Sequence, residues 1–160
     1  MAGTCDQQTL IGTLLTLAED NVRQGLGGPF AALVVKDGII IGQGCNRVTG
    51  QHDPTAHAEM EAIRAACRHL DNHQLHGCVI YSSCEPCPMC LGAIYWARPD
   101  KLFYLNSQAD AARIGFDDQF IYQELALPAA QRQLTTEQLD HPQRLTAFRL
   151  WQASDDREDY

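Results

Sequence analysis

The chain has 160 residues, 45% of them hydrophobic and 20% charged, with a formal net charge of −8 from 12 Lys and Arg against 20 Asp and Glu. That length suits a single domain spanning 1–160, burying roughly 70% of its unfolded surface without disulfides to hold it. The composition excludes low complexity, no apolar run approaches the roughly 20 residues of a membrane span, and the acidic balance argues against a nucleic-acid polymer as partner.

Residues 7–25 place Leu10, Leu14, Leu17, Ala18 and Val22 at helical spacing, and Gly25, Gly27 and Gly28 follow as stop signals. The run FAALVVKDGIIIGQGCN reads as a β-hairpin, two β-branched stretches around KDG that end near Asn46. After a polar loop over 47–54, Thr55 is expected to cap a helix running to about Leu70, with Met60, Ile63, Ala66 and Cys67 on its apolar side. CVIYSS is nearly continuous in its apolar character, as expected of a strand covered on both faces. PMCLGAIYWA then reads as a helix and KLFYL as another buried-type strand. Residues 106–142 show no clear pattern, and Leu145, Phe148 and Trp151 predict a last helix over about 143–153. The acidic end SDDREDY closes on a tyrosine unusual for a solvated tail. Strands alternating with helices after a hairpin predict an α/β fold of three layers, a mixed sheet with helices on both faces.

Seven cysteines are scattered along the chain, and three of them, Cys84, Cys87 and Cys90, crowd into SSCEPCPMC. The N-terminal MAGTCDQQTL lacks the basic stretch and apolar core of a secretion signal, so a cytoplasmic location is expected. In a reducing compartment, clustered cysteines point to a metal or to catalysis rather than to a staple. A redox-active CxxC is one alternative, and a structural metal with Cys84 as fourth ligand is another.

Upstream, PTAHAEM puts His57 and Glu59 at a helix start, and with Pro86, Cys87 and Cys90 the chain reads H-x-E … P-C-x-x-C. This matches the signature of zinc-dependent base deaminases. One imidazole and two thiolates make three ligands for a tetrahedral Zn²⁺ and leave a fourth position for water or hydroxide, as in a catalytic site. Cys87 and Cys90 share a face of a first helical turn, where the N-terminus favours thiolates and Pro88 costs no hydrogen bond. Glu59 need not bind metal: a carboxylate beside activated water can carry protons to the substrate and the leaving amine.

From these residues the chain resembles the cytidine-deaminase-like superfamily, and within it the bacterial guanine deaminases. GGPFAALVVKDG, DPTAHAEMEAIRAAC, SCEPCPMCLGAIYWARP and GFDDQFIYQE carry the likeness strongly over 26–125 and more loosely over 126–155. The resemblance implies a roughly five-stranded sheet, one Zn²⁺ per chain held by His57, Cys87 and Cys90, and Glu59 as the proton shuttle. It implies that Asn46 hydrogen-bonds the base, that Phe30 packs on the ring, and that Asp118 and Tyr160 close over it, with Asp117 the alternative carboxylate. The implied reaction is hydrolytic attack by zinc-activated hydroxide at C2 of guanine, giving xanthine and ammonia. A homodimer is implied as well, with the C-terminal segment, about 143–160, covering its own or a partner's site.

Two enzymatic rivals share the motifs, a tRNA adenosine deaminase and a deaminase of cytosine or another small heterocycle. A third reading, of a different class, is a zinc-stabilised binding module without turnover. The net charge of −8 opposes an RNA stem-loop substrate.

Overall fold

The computed structural model describes residues 5–116 and 118–160. The chain forms two compact units, 1–119 and 120–160.

In the first unit, α1 (Gln7–Arg23) precedes β1 (Ala31–Lys36) and β2 (Ile39–Cys45). The hairpin turns through Asp37 and Gly38 at φ 51° and 76°, the left-handed pair that a two-residue turn needs to match strand twist. A single turn, α2 (Val48–Gln51), leads to α3 (Ala58–Leu70), β3 (Cys78–Cys84), α4 (Pro88–Ala97), β4 (Lys101–Asn106) and α5 (Gln108–Arg113). The sheet order is β2-β1-β3-β4. β1 pairs antiparallel with both β2 and β3, while β3 and β4 run parallel. The sheet is therefore mixed, and it has four strands among the described residues rather than about five.

Strand alternation sorts the core into two layers. Ala32, Val34, Cys78 and Ile80 pack on one side with Ala58, Ala62 and Ala66 of α3 and Ile94 and Ala97 of α4. Ala31, Leu33 and Val35 pack on the other side against Leu10, Leu14 and Ala18 of α1. Helices thus cover both faces, as the pattern predicts.

The alanine stripe of α3 brings that helix unusually close to β2. A Cβ on Gly44 would stand 2.3 Å from the Ala58 carbonyl oxygen, and one on Gly42 would stand 2.5 Å from that of Ala62. Only glycine at these positions lets the start of α3 dock there, which fixes where His57 and Glu59 project.

The expected Thr55 cap is a correction. The N-cap residue of α3 is His57, in extended backbone and with no side-chain cap bond. Asp53 takes the Thr55 side chain instead, its Oδ1 accepting from the Thr55 backbone N–H at 2.8 Å and hydroxyl at 2.7 Å. Such an Asx turn competes for the threonine before the helix begins.

α6 (Gln119–Ala126) opens at the boundary of the second unit, followed by a 3₁₀ turn at Ala129–Gln131 and by α7 (Thr146–Ala153). α7 starts later than the expected 143, because residues 142–145 form turns closed by Arg144 N–H to His141 and Thr146 N–H to Gln143. No helix among the described residues is long and apolar enough to cross a membrane.

Candidate active site

Two helix starts meet at the end of the sheet. At the first, the extended backbone of His57 aims its ring away from α3, so that Nδ1 lies 3.5 Å from Cys87 Sγ and 3.6 Å from Cys90 Sγ. At the second, Cys87 is the N-cap of α4, its Sγ accepting from Cys90 N–H at 3.5 Å, with Pro88 in the first turn. All three potential ligand atoms lie within 4.8 Å of one another.

The spacing can be tested against a metal. Zn–S bonds of about 2.3 Å and a Zn–N bond of about 2.0 Å at a tetrahedral angle set N–S edges of about 3.5 Å. The two observed edges match, and a borderline-soft donor set of one imidazole and two thiols is what zinc selects. The set fits one zinc ion per chain. Cys84 is outside this cluster: it is 6% exposed, and its thiol faces the Ser107 carbonyl at 3.7 Å. That removes it as a fourth structural ligand.

The electrostatics of these donors suit a cation. The Cys90 thiol and the His57 ring, helped by the Cys90 backbone N–H, hold Cys87 at about 4, well below the ordinary thiol value of 9.0. Cys90 is pushed upward by its hydrogen bond to Cys87 and by burial. Without metal one thiol ionises while its neighbour keeps a proton; a bound cation takes both as thiolates. His57 is raised, chiefly by its hydrogen bond with Cys87 and against its own desolvation.

Glu59 sits one residue into α3, only 6% exposed. Burial pushes its carboxyl upward, opposed by its own backbone N–H at the helix start and by the Ser82 hydroxyl, which donates to Oε1 at 3.0 Å.

A cavity of about 580 Å³ opens beside this cluster, lined by His57, Glu59, Cys84, Glu85 and Cys87 at one end and by Gly27, Gly28, Phe30, Asn46, Phe116 and Asp118 elsewhere. Phe30 and Phe116 meet edge to face, with centroids 4.8 Å apart and an interplanar angle of 88°. Asn46 is 8% exposed, and its Oδ1 accepts from the Gly28 and Val48 backbone N–H groups at 3.4 and 3.3 Å. Only an oxygen can accept from two backbone donors, so the amide orientation is fixed and Nδ2 is the group it offers the cavity. Asn21, 2% exposed on α1, underpins the corner: its Nδ2 donates to the Gly28 carbonyl at 2.8 Å and the Asn46 carbonyl at 3.1 Å, and its Oδ1 accepts from Arg47.

His57, Glu59, Cys87, Asn46, Phe30 and Asp118 all line one cavity, and Cys90 joins His57 and Cys87 in the ligand cluster. Tyr160 ends the second unit, 68% exposed. Asp117 lies outside the described residues. Ser82, Asn21 and Phe116 are not singled out by the sequence reading. Phe116 lies just before the DD of GFDDQFIYQE, where its aromatic character was a usable signal. Ser82 and Asn21 had none: one is a serine within an apolar strand, the other an asparagine among the polar residues at the end of α1.

The family model for the cytidine and deoxycytidylate deaminase zinc-binding region matches residues 5–106. The guanine deaminase of Bacillus subtilis is 49% identical over 155 residues, 97% of this chain and 99% of that one. Its X-ray structure superposes with a TM-score of 0.94 over the same shares of the two chains. The solved guanine deaminase of Nitrosomonas europaea is 35% identical, with a TM-score of 0.68 over 71% of this chain and 66% of that one. The tRNA-specific adenosine deaminase of Aquifex aeolicus is 46% identical over 76 residues, 48% of this chain and 50% of that one. The metal triad, the buried carboxylate beside it and these matches lead to one conclusion: the chain belongs to the cytidine and deoxycytidylate deaminase family and carries its zinc-binding region.

Proposed function

We propose that the protein hydrolyses guanine to xanthine and ammonia. The observation that carries this reading is one cavity that joins a zinc-type triad and a buried carboxylate to an aromatic wall and an oriented amide donor. Likeness over nearly the whole chain to the Bacillus subtilis guanine deaminase supports the choice of base, and so does the acidic charge, since a free base needs no phosphate-binding surface.

His57 Nδ1, Cys87 Sγ and Cys90 Sγ are the ligands. Zinc, when bound there, supplies the Lewis acidity that makes water nucleophilic near neutral pH. Glu59 takes a proton from the attacking water and delivers it to N3 of the ring. The proton of the new C2 hydroxyl then passes through Glu59 to the exocyclic amine as the C2–N bond breaks, so that ammonia leaves and C2 keeps the oxygen as a carbonyl. Asn46 Nδ2 donates to an acceptor of the base. Phe30 packs on the ring, and Phe116 braces Phe30 edge to face. The Asp118 side chain pairs with the N–H donors of guanine, a carboxylate oxygen being an acceptor. Burial of Glu59 suits this work, since a general acid–base group is most effective when its affinity for protons approaches the operating pH.

The remaining assignments extend that reading. The C-terminal segment, 143–160, closes over the base with Tyr160 at its tip. The protein works in the cytoplasm as a homodimer, in which Tyr95 and Trp96 of α4, 76% and 62% exposed, offer an apolar contact surface. A photocrosslinker in place of Tyr160, analysed in mixtures of differently labelled chains, distinguishes closure within a subunit from exchange between subunits.

The decisive experiment is a panel of guanine, cytosine, adenosine and a tRNA anticodon hairpin, with ammonia release as readout and zinc measured on the same sample. We expect one zinc per chain and turnover of guanine far above the other three. Preference for the hairpin or for cytosine overturns the substrate assignment, and turnover by fully metal-free protein overturns the chemistry.

A further inference from the structure

β3 carries a side chain whose chemistry contrasts with its place. Ser82 pairs with Ala32 of β1 and follows Cys78 and Ile80 on the sheet face covered by α3, and it is 2% exposed. A hydroxyl buried there costs more than the apolar side chain it displaces unless it finds a partner. It finds one: Oγ donates to Glu59 Oε1 at 3.0 Å. One residue on, Ser83 turns its Oγ to the Ala31 backbone N–H at 3.0 Å and takes no part in this contact.

The consequence is mechanical. The terminal torsion of a glutamate is broad and close to two-fold. The Glu59 backbone N–H at the helix start and the Cys90 thiol also reach this carboxyl, and the Ser82 hydroxyl adds a donor anchored on a central strand of the sheet. β3 lies between β1 and β4, and β1 is held against α3 by the small side chains Ala32, Ala58 and Ala62. The Ser82 oxygen is therefore as rigid as the sheet. Because an ionised carboxylate only accepts, the hydroxyl must donate, and it holds the same oxygen throughout the reaction.

We propose that Ser82 is a positioning residue for proton transfer: its hydroxyl holds Oε1 of Glu59, sets the rotation of the carboxylate and thereby presents the other oxygen to water and base. This rests on Glu59 being the proton shuttle. Ser82 itself touches neither metal ligands nor substrate in this scheme, and its effect passes entirely through Glu59.

Threonine and valine make the test, being β-branched and nearly equal in volume but differing in the hydroxyl. In the zinc-loaded enzyme, Ser82→Val should lower kcat by about tenfold to a hundredfold, the usual cost of losing an outer-shell partner. KM, affinity for the product xanthine and zinc content should stay at wild-type values, and Ser82→Thr should restore kcat to within about threefold. A second readout needs neither metal nor turnover. In metal-free protein, infrared difference spectra against Glu59→Gln isolate the Glu59 carboxyl band; Ser82→Val should move it to higher frequency and Ser82→Thr should not. Equal kcat and an unmoved band in Ser82→Val overturn the proposal, and so does a loss that falls on KM or zinc content instead of kcat. Full turnover in Glu59→Gln itself would mean that the shuttle assignment has failed, independently of what the Ser82 spectra show.

Discussion

The two helix starts that build the metal site are made in opposite ways. α4 is capped by one of its own ligands: the Cys87 sulfur accepts from the Cys90 N–H and also faces the metal position. α3 has no side-chain cap, because His57, which occupies the cap position, turns its ring toward the thiols. Its first turn is stabilised instead by the acidic Glu59 and Glu61 near the positive end of the helix, and by the close seat that Gly44 leaves under Ala58. Ligation and capping are one function at α4 and separate functions at α3. Glu59 stands at the start where they are separate, and its carboxyl lies outside the ligand set.

The sharpest break of this comparison is Glu59→Gln. The amide keeps the shape of the side chain but cannot take a proton, so ammonia release should fall by about 10²–10⁴-fold. Elemental analysis should still find one zinc per chain, since Glu59 is outside the ligand set. Gly44→Ala attacks the seat of α3. Its Cβ would meet the Ala58 carbonyl at 2.3 Å, so urea denaturation should show a loss of about 1–3 kcal/mol, typical of overpacking, together with weaker zinc binding. Retained stability would mean that β2 and α3 can separate without cost.

A smaller effect separates capping from ligation. Both His57→Ala and Cys87→Ala should abolish zinc binding, but in metal-free protein only Cys87→Ala removes a cap, costing about 0.5–1 kcal/mol of unfolding free energy. Cys87→Ser, which restores a capping oxygen, should recover most of that difference.

The subtlest effect concerns two thiols three residues apart. Interactions with Cys90 and His57 hold Cys87 near 4, whereas burial, with Glu59 nearby, pushes Cys84 up to about 11 from 9.0. In metal-free protein at pH 8, iodoacetamide should therefore label Cys87 while sparing Cys84. Cys84 also gives a signed pH dependence. Below pH 9 it is protonated folded or unfolded, and it contributes no slope. Between about 9 and 11 the unfolded chain loses this proton and the folded protein keeps it, so stability falls as pH rises. Cys84→Ala should flatten the denaturation midpoint across that window.

What the sequence by itself determined is the metal donor set and the order of elements. His57, Glu59, Cys87 and Cys90 were legible because residue type and short spacing at helix starts are local properties, and the metal assignment followed from them. The hairpin, the end of α3 at Leu70 and the strand–helix–strand run from Cys78 to Asn106 were legible for the same reason, since hydrophobic period and Gly or Pro punctuation act over a few residues. The burial of KLFYL was not: expected as a buried-type strand, it is β4, a largely exposed strand at the sheet edge, because edge position depends on which strands pair. Tertiary structure decided what depends on neighbours distant in the chain. It gave Thr55 to Asp53 and the cap position to His57, and it closed the sheet of described residues at four strands. It put Phe116 against Phe30 and set Asn46 Oδ1 to accept from the Gly28 and Val48 backbone N–H groups. It also paired Ser82 with Glu59 across 23 positions of chain. A serine in an apolar strand says nothing of its partner until the sheet and α3 are packed, because a hydrogen bond between remote residues is a property of the packing and not of either residue.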